Sequence, residues 1–169
     1  MSDFEPDVQD HNEHEGQLPA APTSGLARLR AEREKIKEEL FLDLRVPRYE
    51  VPLFVRYSPV QQSTAKRVHD RAKKSNDSEA SVIANAQLLA EHCVGVFEMD
   101  PQGDPIGDPE DWPKFDRTLA EYLGADTNRA ADVVRLLFLT DGDIMATVQR
   151  LMEWSGFAGD QITEEYEGN

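Results

Sequence analysis

Apolar residues in this chain recur first at helical spacing, then at strand spacing, then at helical spacing again. Gly25 to about Leu40 sets Leu26, Leu29, Ile36 and Leu40 among alternating arginine, lysine and glutamate, which predicts a helix with a narrow apolar stripe interrupted by Arg33. Sustained heptads are absent, so coiled-coil pairing is limited to a short local contact. From Phe41 the period becomes two. Leu42, Leu44 and Val46 alternate with Asp43 and Arg45, and Val51, Leu53, Val55 and Tyr57 alternate with Pro52, Phe54 and Arg56, predicting two strands. Pro47 and Pro52 lack backbone donors and so belong to a connection or an edge.

Ser58-Pro59-Val60-Gln61 has the form of a helix start, with serine as cap, proline at the first helical position and glutamine closing the box. The helix it predicts runs to about Lys74. Ser75 to Ser78 break the run, and a second helix places Val82, Ala86, Leu89, Ala90 and Cys93 on one face, so the two helices form a hairpin. Val94 to Met99 predicts a third strand or hairpin before the turn Asp100-Pro101-Gln102-Gly103-Asp104. Asp116 then caps a short helix carrying Leu119, Tyr122 and Leu123, and Gly124 closes it. Asp126 or Thr127 opens the next, with Val133, Val134, Leu137 and Phe138. The last helix starts at Thr140, with Asp143 as the acidic member of a capping box, carries Ile144, Val148, Leu151 and Met152, and ends at Gly156.

The expected fold is therefore α+β and mainly helical: a small antiparallel sheet of two or three strands with about six helices. One globular domain should span 25–157, with strands near 41–57 and 94–99 and a C-terminal three-helix unit over 116–155. Residues 1–24 carry six acids, four prolines or glycines and no lysine or arginine, a composition that predicts an acidic disordered tail. Residues 158–169 predict a second acidic, flexible tail.

A net charge of −15 argues against a nucleic-acid partner, which requires a basic patch to release counterions. Lys66, Arg67, Arg71, Lys73 and Lys74 share one predicted helix. Asp70, Asp77 and Glu79 dilute them, and no aromatic residue is interleaved for stacking on bases, so a solvated face is expected. The acidity favours solubility, weak self-association and a basic protein partner. Cys93 is the only cysteine, which excludes an intrachain disulfide and suits a reducing compartment, the cytoplasm. No apolar run is long enough to span a bilayer, and the acidic start lacks the regions of a signal peptide.

Candidate chemistry is sparse. His92 and Cys93 are adjacent, but neighbours on a helix point about 100° apart and cannot act as base and nucleophile, so a buried structural thiol is expected. Asp100, Asp104 and Asp108 offer hard oxygen ligands in a segment, Glu98 to Asp111, with six acids and no base. Their spacing does not fit an EF-hand, and Pro101, Pro105 and Pro109 suit an exposed connector. His11 and His14 lack a fixed third ligand, and His69 is expected to be exposed on the charged helix. No nucleophile elbow, phosphate loop, dinucleotide fingerprint, zinc helix or paired CxxC occurs, so neither an enzyme nor a cofactor is expected. The candidate protein-binding residues are Met145, Met152, Trp154 and Phe157: two adaptable thioethers seven residues apart and two aromatics flanking Ser155-Gly156.

The segment Pro52-Leu53-Phe54-Val55-Arg56-Tyr57-Ser58-Pro59-Val60 before a charged helix, the junction Cys93-Val94-Gly95-Val96-Phe97, and Leu136 to Gly159 with its acidic tail together resemble the tail assembly chaperones of long-tailed phages of actinobacteria. The resemblance covers about residues 40–167. It implies a non-catalytic protein of the infected cell's cytoplasm that binds the tape measure protein, keeps its apolar helices soluble, helps recruit the major tail protein and is not retained in the finished virion. Such families commonly extend the short product by a −1 ribosomal frameshift. The terminal Glu167-Gly168-Asn169 can be encoded as GAG GGA AAC, which contains a slippery heptamer, so this chain is expected to be the short product. The alternative reading is a small acidic adaptor in which Ala120 to Phe157 forms a ubiquitin-associated-like three-helix unit. A helix-turn-helix is disfavoured, because Asp141, Asp143 and Glu153 on the final helix would repel phosphate against one Arg150.

Overall fold

The computed structural model describes residues 25–74 and 77–157. The expectations for the two acidic tails, for His11 and His14, and for the break at Ser75 and Asn76 lie outside these residues. Contacts divide the chain into two compact units, one ending at Glu39 and one beginning at Leu40. The first contributes helix α1, Gly25–Glu39, in which no residue is buried.

The second unit runs β1 (Leu42–Arg45), β2 (Leu53–Tyr57), α2 (Gln62–Lys74), α3 (Ser78–Glu91), β3 (Cys93–Glu98), α4 (Arg117–Tyr122), α5 (Ala130–Leu137) and α6 (Asp141–Trp154), with a 3-10 turn at Pro109–Asp111. The fold is α+β, mainly helical, with one antiparallel three-stranded sheet in the order β1-β2-β3. Leu44 pairs with Val55, and Val55 with Val96, which sets the register. That register places Leu44, Val55 and Val96 on one face, where they join Leu88, Leu89, Val133, Val134, Leu137, Ile144 and Leu151 in the core. α3 packs against α2, α5 and α6, so the C-terminal helices share their core with the helical hairpin.

The opposite face of the sheet is also covered. Gly95 lies beneath Trp112, whose ring stacks on Phe97 at 4.2 Å and whose Nε1 donates to the Ile106 carbonyl at 3.0 Å. Beside them Arg56 donates to both carboxylate oxygens of Asp43, at 2.8 and 2.9 Å, under the Phe41 ring. The loop that delivers Trp112 uses its acids as turn caps: Asp100 Oδ1 accepts from the N–H groups of Gln102 and Asp104, and Asp108 Oδ1 from that of Glu110.

Local signals account for both ends of α4 and of α6. Asp116 accepts from the Leu119 N–H and Thr140 from the Asp143 N–H, as expected of N-caps. Gly124 and Gly156 have φ of 79° and 98° and close α4 and α6. At the latter, Phe157 N–H donates to Met152 and Gly156 N–H to Glu153, a Schellman motif.

Three expectations are corrected. α2 begins at Gln62, not after Ser58, because the Ser58 N–H donates to the His92 carbonyl and the Val60 N–H to Ser155 Oγ. α5 begins at Ala130, since Thr127 accepts from the Arg129 N–H in a turn outside the helix and Arg129 makes no side-chain cap. Cys93 starts β3 instead of closing the apolar face of α3.

Candidate functional site

α2 is charged on its outer side but carries Ala65, Val68, His69 and Ala72 at spacings of three and four, a narrow apolar edge. Across from it α6 presents Val148 and Met152, and Leu88 of α3 floors the space between them. The result is a groove of about 220 Å³, closed at one end by Phe157 and rimmed by Gln149 and Glu153. The Schellman turn at Gly156 brings Phe157 back over α6 to reach this position. Ser155, the last residue before that turn, is tied to Val60 through its hydroxyl at 2.9 Å, which anchors the end of α6 beside the start of α2.

Of the four candidate binding residues, Met152 and Phe157 meet in this groove. Met145 lies two turns earlier on the same side of α6, is 41% exposed, and is not part of the lining. Trp154 projects about 160° away from Met152 around the helix and packs against the core. Ala65, Val68 and Ala72 are lining residues that the sequence pattern does not single out. Their signal is present as the 65, 68, 69, 72 spacing, but six charged neighbours on α2 hide it. His69 is half-buried against the groove, not exposed as expected, because α2 turns that edge toward α6.

The basic residues of α2 lie on its other side. Arg67 pairs with Glu91, and Arg71 donates to Gln87 Oε1 at 3.0 Å, so both reach across the hairpin to α3. A shallow surface lined by Lys66, Arg67, Asp70, Arg71 and Lys74 remains there, mainly basic.

The His92-Cys93 pair is buried. Burial pushes the Cys93 thiol up to about 12, where it is protonated and unreactive. Burial likewise holds the His92 imidazole below its ordinary value. Its Nδ1 lies 3.4 Å from Ser58 Oγ, and its Nε2 has no hydrogen-bond partner among the described residues.

Among the described residues no group of three or more histidine, cysteine, aspartate or glutamate side chains is placed to hold a metal ion. Among the same residues, no helix is long and apolar enough to cross a membrane. Compared with family models, curated proteins and solved structures, the chain matches none.

Proposed function

We propose that this chain is a non-catalytic tail assembly chaperone of a long-tailed phage, binding the tape measure protein and helping to recruit the major tail protein in the cytoplasm of the infected cell. The observation that carries this reading is the apolar groove between α2, α3 and α6. A tape measure protein is long, helical and apolar, and an amphipathic helix docks by setting an apolar side chain into such a groove. Met152 suits that role because its unbranched thioether adapts to different occupants. The chain's acidity keeps a complex with an apolar partner soluble. The resemblance of residues 52–60, 93–97 and 136–159 to this chaperone family supplies the identity of the partners.

Co-expression of the full chain with a phage tape measure protein, followed by pull-down and measurement of the soluble fraction, tests the reading. The expected result is a soluble complex that Met152→Glu weakens at a temperature where circular dichroism shows the variant folded. A tape measure protein that is neither bound nor solubilised overturns the assignment. Binding untouched by Met152→Glu moves the interface away from the groove.

A further inference from the structure

Helix α1 consists almost wholly of strong helix formers, yet it buries nothing: Leu26, Leu29 and Ile36 are 79%, 58% and 51% exposed. A helix of 15 residues is close to the length at which isolated helices are marginal in water, so its apolar stripe calls for a partner. The positions 26, 29, 33 and 36 follow the spacing three, four, three, which is the a-d-a-d seam of a two-stranded coiled coil with Arg33 at one a position.

The flanking charges identify the partner. In this register Arg30 and Lys37 occupy e, and Glu32 and Glu39 occupy g. Two copies packed parallel set Glu32 of each against Lys37 of the other, giving two attractive pairs by symmetry. Packed antiparallel, they would set e against e and g against g, basic against basic and acidic against acidic. We infer that α1 is a homotypic interface, through which two copies of this chain pair as a short parallel coiled coil.

Arg33 fits that seam. It is held to Glu34 at 3.2 Å on its own helix, and its aliphatic stem can pack while its guanidinium reaches outward to Glu32 of the other copy. A single charged a position also opposes shifted registers, at a cost in stability. With only two heptads and one such residue, the pairing is weak and concentration-dependent.

Sedimentation equilibrium of the full chain from about 10 μM to about 1 mM reads this directly, as a mass rising from one chain toward two. Leu29→Glu/Ile36→Glu should remain monomeric across that range, with the thermal melt of the folded unit unchanged because neither residue is buried. Glu32→Lys should weaken association by about tenfold, and Glu32→Lys/Lys37→Glu should restore it. Leu26→Cys should oxidise to a covalent dimer, since facing a positions are adjacent only in the parallel arrangement and Cys93 is buried. A single-chain mass at every concentration, a dimer indifferent to Leu29→Glu/Ile36→Glu, or failure of Leu26→Cys to cross-link would overturn the inference. A monomer whose α1 variants lose a tape measure protein would overturn it in favour of a heterotypic helix.

Discussion

Ser155 Oγ accepts a hydrogen bond from the Val60 backbone N–H at 2.9 Å, joining residues 95 positions apart. The contact links two events of the fold: the end of α6 and the delayed start of α2. Val60 is buried, so its N–H has no access to water as a substitute acceptor. Ser155→Ala should therefore destabilise the chain by about 1–2 kcal/mol, the cost of leaving a buried donor unmade. Urea denaturation measures it as a lower midpoint at constant slope, and a midpoint equal to the parent's would show that the donor finds another acceptor.

Gly95 shows a different dependence, on space. A Cβ there would meet Trp112 Cβ at 2.6 Å and Cε3 at 3.1 Å, so an alanine forces the indole off the Phe97 ring that it stacks on. Overpacking of this kind costs about 1–3 kcal/mol. Gly95→Ala should lower the thermal midpoint and shift the Trp112 emission toward that of exposed indole, with Trp154 removed by substitution to isolate the signal. An unchanged spectrum and midpoint would mean that the loop carrying Trp112 yields without cost.

Arg56 depends on shape as well as charge. Its side chain is 13% exposed, its guanidinium engages both oxygens of Asp43, and it lies 3.5 Å from the centre of the Phe41 ring and 5.0 Å from that of Trp112. Lysine keeps the charge but loses the fork and the flat stacking surface. Arg56→Lys should cost about 1–3 kcal/mol, and a double-mutant cycle with Asp43→Asn should give coupling of similar size. Additive effects in that cycle would reassign the loss to the aromatic contacts alone.

The difference between what is legible in the sequence and what is not follows from how far each signal reaches. Thr140, Asp116, Gly124 and Gly156 act on backbone groups within a few residues, so their roles in ending helices can be read directly. Ser58-Pro59 has the same local form, yet tertiary acceptors on His92 and Ser155 take the N–H groups first and keep the chain out of the helix. The alternation of β1 and β2 is plain because one face of the sheet meets the core. Half of the groove is equally plain, in Met152 and Phe157 at the end of α6. The other half is the edge of α2 formed by Ala65, Val68, His69 and Ala72, whose apolar character appears only when α6 is placed opposite.

His92 provides the pH-dependent prediction. Burial lowers its imidazole below the ordinary value near 6.5, an effect that Arg67 reinforces and Glu91 opposes. Between the folded and unfolded values the unfolded chain binds more protons, so lowering the pH favours unfolding. The stabilising contribution is thus complete above about 6.5 and is lost as pH falls through the depressed folded value. The carboxylate of Asp143, held down chiefly by its hydrogen bond from Arg48, has the same sign but acts at more acidic pH, because its reference lies near 3.8. The urea midpoint of the parent chain should therefore fall between about pH 7.5 and pH 5.5, and that of His92→Gln should fall less. Equal losses of midpoint in the two would mean that His92 does not carry the acid sensitivity, and that its burial does not distinguish its two protonation states.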